Sequence, residues 1–146
     1  MTAAPTGATR PTVLFVGVRD AGRSQMAAAY LTQLADGALN ARSAGTRPAT
    51  RLDSTVVDAM AEEGIDLSSA RPAEVTVESI NSAQMVVTLG SGNECPVIPG
   101  RRYEDWAVDD PAGQDPDGVR AVRDDIKHRV QQLMSELQPA LHPDAQ

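Results

Sequence analysis

The sequence predicts an α/β domain in which a parallel sheet is covered by helices on both faces. Short apolar runs of β type alternate along the chain with stretches that have the apolar spacing of helices, and this alternation is typical of parallel sheets. The 146 residues are enough for one domain with a substantial core. Ligands of such sheets bind at the carboxyl ends of the strands, where the strand order reverses.

Four segments have the features of strands. Residues 13–16 form a short apolar run followed by Gly17, as expected of a central parallel strand. Residues 40–44 are predicted as the second strand and residues 85–89 as the third, and a glycine follows each of them. The fourth strand is predicted over residues 103–106. The loop after the first strand is therefore the first place to look for a site.

Four further segments are predicted as helices, three of them because apolar residues recur at helical spacing and the segment 76–81 as a short helix. They span residues 24–34, 54–63, 76–81 and 118–137. Ser24 and Asp53 have the side chains of N-cap residues at the first two helix starts, and Gly64 is predicted to end the second helix.

Composition and charge narrow the classes of function. The net charge of -7 disfavours nucleic acids and anionic membranes as general partners, and no apolar run approaches the ~18 residues of a membrane span. Residues 12–138 are predicted to form the domain, with disordered tails over residues 1–11 and 139–146. Cys95 is the only cysteine, which excludes an internal disulfide. We expect a cytoplasmic protein.

The loop after the first strand is predicted to bind an anion. Its backbone N–H groups can converge on one point at the positive end of the following helix, and the Arg23 guanidinium can bind two oxygens of a tetrahedral oxyanion. From these residues alone, an ordinary turn whose arginine makes a surface ion pair is an equal alternative. The predicted oxyanion-binding residues are Gly17, Val18, Arg19, Asp20, Ala21, Gly22, Arg23 and Ser24.

Several segments of the chain resemble segments of one protein family, and they occur in the same order as in that family. Residues 17–24 resemble the Cys-x5-Arg-Ser loop of the low-molecular-weight protein tyrosine phosphatases and of the arsenate reductases built on the same fold. The other similar segments are residues 22–27 (GRSQMA), 43–46 (SAGT), 57–68, 103–114 and 122–126. The resemblance implies a single-domain, three-layer α/β/α fold with a four-stranded parallel sheet. Residues 99–103 and the short segment before Cys95 resemble the mycothiol-coupled, actinobacterial branch of the arsenate reductases.

The resemblance also implies roles for individual residues. In that family an arsenate or phosphate ion lies in the loop, a cysteine thiolate attacks it, and an aspartate donates a proton to the leaving group. Carried over to this chain, the nucleophile position is Gly17, the oxyanion arginine is Arg23, and the general acid is Asp110, which precedes a proline. Because Gly17 has no side chain, the family's thiolate step is expected to be lost.

Other positions depart from the family as well, so we interpret Gly17 as natural rather than engineered. Asp20 replaces an asparagine that helps to hold the loop's shape; its carboxylate is expected to repel an oxyanion or to pair with Arg19 or Arg23. Ser91 lies near the place of a second cysteine. A single cysteine cannot run an internal thiol relay, and Cys95 is expected to be a half-buried structural residue.

The sequence therefore predicts a catalytically impaired protein that binds arsenate, phosphate or a similar tetrahedral oxyanion. Two alternatives remain. The first is an arsenate reductase whose thiol is an external one such as mycothiol, or Cys95 after it moves into the site. The second is a non-enzymatic interaction module with a vestigial loop. We predict no metal site, since neither His128 nor His142 has other ligand types at metal spacing. Trp106 is expected to pack in the core, and His128 is expected to be exposed.

Overall fold

Residues 10–91 and 94–141 are described by a computed structural model, residues 138–141 by their backbone alone. Within this part of the chain the elements follow the predicted order of strands and helices. They are β1 (Thr12–Gly17), α1 (Arg23–Ala35), β2 (Asn40–Gly45), α2 (Ser54–Ala61), α3 (Val77–Asn81), β3 (Met85–Leu89), β4 (Arg102–Trp106) and α4 (Pro116–Leu141). In these residues no helix has the length and apolar character that a membrane crossing requires.

The sheet has four parallel strands in the order β2-β1-β3-β4, which confirms the predicted fold class. The central strand β1 pairs with β2 on one side and with β3 on the other, and all six of its residues are buried. Because the chain passes from β1 to one side and later returns to the other, the strand order reverses beside β1. The loop after β1 therefore lies where parallel sheets bind ligands.

Successive residues of β1 face opposite sides of the sheet, as the twofold period of a strand requires. Val13 and Phe15 belong to the larger apolar cluster, which also contains residues of α1, α2 and α4. Leu14 and Val16 belong to a smaller cluster on the other face, with residues of α3 and β3. Trp106 lies in the larger cluster, where its ring centroid is 5.7 Å from that of Phe15, so its predicted place in the core is confirmed.

The N-terminal capping of two helices differs from the prediction. Helix α1 begins at Arg23, and its N-cap is Gly22, which makes no side-chain cap bond. The prediction that Ser24 caps this helix is wrong, because its hydroxyl donates instead to the Asp20 carboxylate at 2.7 Å. Asp53 does hold the N-cap position of α2, but its side chain makes no cap hydrogen bond and its carboxylate binds Arg19. In both cases the side chain binds another side chain of the loop instead of the helix N-terminus.

Helix α4 is longer than predicted at both ends. It begins at Pro116, a residue suited to the first helical position, and the backbone stays helical to Leu141. Residues 139–141, which were predicted to be part of a disordered tail, therefore continue the helix. The prediction treated Pro139 as a terminator, but extending an existing helix costs far less than starting a new one. The predicted tails at residues 1–9 and 142–146, with His142, lie outside the described residues.

Candidate oxyanion site

The loop between β1 and α1 turns its carbonyl groups away from its concave side. Four of these carbonyls accept hydrogen bonds from the segment that follows β2. The N–H donors and their acceptors are Thr46 to Gly17 at 3.0 Å, Arg47 to Val18 at 2.8 Å, Ala49 to Arg19 at 2.8 Å and Asp53 to Ala21 at 3.1 Å. Gln25 Nε2 donates to the fifth carbonyl, that of Asp20, at 3.1 Å. This outer set of bonds holds the loop in one shape.

The N–H groups of the same loop remain available on its inner side. Within the described chain, the backbone N–H groups of residues 18–24 donate no hydrogen bond to another protein group. They surround a cavity of about 270 Å³ at the N-terminus of α1. Free N–H groups and the helix end both carry partial positive charge, which is the usual basis of an anion-binding loop.

The structure brings the sequence-predicted site residues to this one cavity. Residues 17–24 line it together with Asp110, which comes from the loop after β4, and with Asp53 and Gly90. Asp53 was predicted only as a helix cap, and Gly90 only as the residue that ends β3. One signal could have indicated Gly90 as a site residue: it directly follows a buried strand, at the same edge of the sheet as Gly17. Nothing in the local sequence connects Asp53 with the loop.

Arg23 forms one wall of the cavity and is fixed from two sides. Its Nη1 donates to the Val108 carbonyl at 3.0 Å, and its Nη2 lies 3.7 Å from Asp110 Oδ2. Gly90 lies against the guanidinium: a Cβ atom at this position would be 2.5 Å from Nη1. Gly90 also has a φ of +79°, which favours glycine. The end of β3 is therefore shaped to leave room for the arginine.

Asp110 lies at the mouth of the cavity. Its side chain is 57% exposed, and Oδ1 accepts a hydrogen bond from the Ala112 N–H at 3.0 Å. This bond closes a turn, which agrees with the ordinary role of an aspartate before Pro111. The other carboxylate oxygen faces Arg23. A carboxyl group in this position is within reach of both the solvent and an oxyanion bound in the loop.

Asp20 lies behind the loop and is only 2% exposed. Its Oδ1 accepts a hydrogen bond from Ser24 Oγ at 2.7 Å, and its Oδ2 accepts one from the Ala73 N–H at 3.0 Å. Its backbone is left-handed, with a φ of +52°, a conformation that aspartate and asparagine tolerate better than most residues. Burial raises the pKa of the Asp20 carboxyl, and the hydrogen bond from Ser24 partly opposes this shift. Asp20 thus ties the loop to α1 and to the segment around Ala73.

The prediction that Asp20 pairs with Arg19 or Arg23 is wrong. Arg19 instead binds Asp53, with Nη2 at 3.0 Å from Oδ1, and Arg23 faces Asp110. The reason is geometric: the Asp20 carboxylate is turned to Ser24 and Ala73, whereas each arginine meets a carboxylate from another part of the chain. Both cations of the loop are therefore paired with carboxylates at the cavity wall.

Gly17 lies at the end of β1, beneath the loop, and its backbone does not have the positive φ that would require glycine. A Cβ atom there would be 3.2 Å from Ser24 Oγ and 3.7 Å from the Leu89 carbonyl oxygen. A side chain at position 17 would therefore point towards Ser24 and fit after a shift of a few tenths of an ångström. Space alone does not explain a glycine at this position.

Ser91 and Cys95, the two positions compared with family cysteines, do not line the cavity. The Ser91 hydroxyl is buried and donates to the Val16 carbonyl at 3.4 Å. Cys95 is 5% exposed in the smaller apolar cluster, so it is more deeply buried than predicted, and burial raises the pKa of its thiol. His128 is exposed, as predicted. In the described residues no three His, Cys, Asp or Glu side chains are grouped to hold a metal ion.

Comparison with known proteins identifies relatives over nearly the whole chain. A model of the family described as low molecular weight phosphotyrosine protein phosphatase matches residues 12–142. A provisionally named arsenate reductase of Halobacterium salinarum is 39% identical over 131 residues, which cover 86% of this chain and 92% of that protein.

Solved structures of arsenate reductases have the same fold. The thioredoxin-dependent arsenate reductase of Corynebacterium glutamicum superposes with a TM-score of 0.80 at 34% identity, covering 90% of this chain. This chain spans 63% of that longer protein. An arsenate reductase in its phosphate-binding state superposes with a TM-score of 0.73 at 30% identity, with 86% of this chain and 98% of that chain covered.

Proposed function

This chain belongs to the low-molecular-weight phosphotyrosine protein phosphatase family, and from that premise we propose that it binds a tetrahedral oxyanion without the family's thiolate step. The ligand is arsenate, phosphate or an ion of similar shape and charge. The proposal includes the loss of the nucleophile at Gly17, which would make the protein a catalytically impaired member of the family. Binding to such an oxyanion would also suit a role in arsenic resistance.

The loop geometry is the observation that carries the proposal. The carbonyls of the loop accept hydrogen bonds, whereas the N–H groups of residues 18–24, which line the cavity, donate none to the described part of the protein. Arg23 adds a guanidinium to the same cavity. Oriented N–H groups and a guanidinium bind oxyanions through charge-assisted hydrogen bonds, which are about twice as strong as neutral ones.

The side chains that line the cavity supply no thiol. Gly17 has no side chain, and among the described lining residues Ser24 has the one hydroxyl group, which already donates to Asp20. Cys95 lies in the smaller apolar cluster, and the raised pKa of its thiol disfavours the reactive thiolate. These positions support binding without covalent catalysis, and they argue against a repositioned Cys95.

A calorimetric titration with arsenate and with phosphate tests the proposal. We expect saturable binding at millimolar or lower concentrations, and a loss of at least about tenfold in affinity for Arg23→Ala, because a charge-assisted hydrogen bond is removed. Arg129→Ala is the matched control: it removes the same charge from α4, where Arg129 pairs with Asp125. Absence of saturable binding, or equal losses in the two variants, would contradict the proposal and favour the interaction module with a vestigial loop.

The exposed position of Asp110 favours one second candidate, an arsenate reductase that uses an external thiol such as mycothiol. The carboxyl group is on the cavity wall and open to the solvent, so it could protonate an oxygen of arsenate as an outside thiol attacks. Two thiols would reduce arsenate to arsenite and leave as a disulfide, with water as the other product. Formation of arsenite that is lost in Arg23→Ala would support this candidate, and binding without turnover would exclude it.

A further inference from the structure

The Asp20 carboxyl group is buried directly behind the anion-binding loop without a cationic partner in the described residues. Both arginines of the loop are directed elsewhere, Arg19 to Asp53 and Arg23 to Asp110. The donors that do reach its two oxygens are the Ser24 hydroxyl at 2.7 Å and the Ala73 N–H at 3.0 Å, and both are uncharged.

The elements packed around Asp20 add no further charge at the carboxyl group. The polar side chains that face it are Ser24 and Gln25 on α1 and Ser43 on β2. Arg71 and Glu74, on either side of Ala73, are exposed. The guanidinium of Arg71 donates to the Ala70 carbonyl. Asp20 is therefore a buried acid whose charge is balanced by hydrogen bonds alone.

An oxyanion in the loop would place a second negative charge beside this acid, because Asp20 and Ser24 both line the cavity. Two negative charges at short range inside a protein repel each other strongly. Burial already raises the pKa of Asp20, and a bound anion would raise it further. Binding therefore favours the protonated carboxylic acid.

The Ser24 hydroxyl provides the geometric link. While Asp20 is ionised, Ser24 donates its hydrogen to Asp20 Oδ1. Only the oxygen atom of the Ser24 hydroxyl then faces Gly17, at the floor of the cavity. When Asp20 Oδ1 carries a proton, the carboxylic acid becomes the donor to Ser24 Oγ. The serine hydrogen is then free to turn towards the floor. Ser24 changes from an acceptor to a donor for a bound oxyanion.

We propose that the Asp20–Ser24 pair couples oxyanion binding to the uptake of one proton from solvent, with the proton held on Asp20 and the Ser24 hydrogen donated to the ligand. The proposal rests on the proposed function, because it concerns the same loop. The coupling of binding to proton uptake means that the protein's affinity for an ion of constant charge falls as the pH rises. The decline begins at the pKa of Asp20 in the free protein, above the ordinary 3.8.

Calorimetry with sulfate tests this coupling. Sulfate is a tetrahedral ion that stays a dianion where a carboxyl group titrates, whereas phosphate and arsenate lose a proton near neutral pH. We expect its dissociation constant to rise with pH by up to about tenfold per unit for the wild-type protein, and uptake of up to one proton per ion bound, measured in buffers of different ionisation enthalpy.

Asp20→Asn and Ser24→Ala are the informative variants. The asparagine of the first variant is suited to the left-handed conformation and cannot be ionised, so we expect the sulfate affinity of this variant to change little with pH and its proton uptake to vanish. Ser24→Ala removes a hydrogen bond that lowers the pKa of Asp20, so we expect the decline in affinity to begin at a higher pH. A pH-independent affinity of the wild-type protein, or an Asp20→Asn variant with the wild-type profile, would overturn the proposal.

The pH dependence of unfolding separates this proposal from the proposed function. The folded protein binds more protons than the unfolded chain between the ordinary pKa of 3.8 and the raised pKa of Asp20. Its resistance to urea is therefore expected to fall as the pH rises through that window, and the fall should be absent in Asp20→Asn. If no variant binds sulfate at any pH, the proposed function fails. If the wild-type protein and Asp20→Asn lost resistance to urea equally over this pH range, Asp20 would hold no extra proton in the folded protein.

Discussion

Position 17 has a backbone conformation that any residue can adopt, and a side chain there would meet Ser24 at ordinary distances after a small shift. On the proposed function, the consequence of glycine is therefore chemical: the loop would lack a nucleophile while the N–H groups and Arg23 keep their places. A substitution that restores a thiol tests whether the loop still activates one.

Gly17→Cys is expected to gain phosphatase activity. The free N–H groups of the loop and the N-terminus of α1 should lower the pKa of the new thiol below its usual value of about 8.5. Hydrolysis of p-nitrophenyl phosphate should then exceed that of the unmodified protein by at least about tenfold, since a thiolate can form a covalent intermediate. The measurements are the thiolate absorbance as a function of pH and the steady-state rate.

Gly17→Ala is the matched control, because it adds the same Cβ atom beside Ser24 without the sulfur. We expect it to hydrolyse no more substrate than the unmodified protein. A Gly17→Cys rate equal to or below the Gly17→Ala rate, with a thiol pKa in the usual range, would mean that the loop does not activate a thiolate.

At the scale of elements, the site depends on how the end of β3 meets α1. Gly90 follows β3 with a φ of +79°, and its missing side chain leaves the space that the Arg23 guanidinium occupies. The guanidinium then reaches the Val108 carbonyl and Asp110, beyond the end of β4. Three elements far apart in the sequence are joined by one arginine.

Gly90→Ala is expected to weaken oxyanion binding. The new Cβ atom would lie 2.5–2.8 Å from the guanidinium atoms of Arg23, so the arginine must move out of the cavity wall. A non-glycine residue at positive φ also costs about 1 kcal/mol of stability. Titration with phosphate measures the first effect, and urea unfolding measures the second.

Gly113→Ala separates the two effects. Gly113 has almost the same φ, +78°, but a Cβ atom there would have no neighbour within 4 Å. We expect it to lose a similar amount of stability and to keep the unmodified affinity for phosphate. If Gly90→Ala bound phosphate as well as Gly113→Ala does, the position of Arg23 would not matter for binding.

At the scale of the whole molecule, the two faces of the sheet are covered unequally. The larger cluster contains residues of α1, α2 and α4, whereas the smaller contains residues of α3 and the segment around Cys95. The helices on the face of the larger cluster bury many apolar side chains, and burial of apolar area is the main source of stability. Stability should therefore depend on the side of α1 that faces the sheet.

Leu31→Ala is expected to lower the free energy of unfolding by about 2–5 kcal/mol, because it leaves a cavity in the core. Leu34→Ala is a control on the same helix with the same change of side chain. Leu31 is fully buried, whereas Leu34 is 39% exposed, so the second variant should lose much less. Urea unfolding followed by circular dichroism measures both, and equal losses would contradict the assigned orientation of α1.

The fold and the position of the site could be predicted from the sequence because they depend on neighbouring residues. The apolar run before Gly17 indicated a central strand, and the helical spacing after Arg23 indicated α1. Local patterns of this kind show in the sequence wherever a strand or helix buries one side. The same patterns predicted that the loop after β1, the candidate oxyanion site, lies where the strand order reverses.

Helix caps and ion pairs could not be predicted in the same way. Ser24 and Asp53 are both good N-cap residues, yet each side chain binds a partner in the loop instead. Short polar side chains can bond to several groups near them, and the folded loop decides which one each side chain reaches. The end of α4 was also misjudged, because the helix continues past Pro139 to Leu141.

The α/β fold could be recognised from the sequence because each strand and helix has its own local pattern, and the loop from Gly17 to Ser24, with glycine at its first position, is one short run of residues. The side-chain contacts could not be recognised in this way: Asp20 binds the Ala73 N–H, while Asp53 and Asp110 face Arg19 and Arg23. Those contacts join residues 34 to 87 positions apart. The charge around an anion site depends on such distances in space, which no local pattern contains.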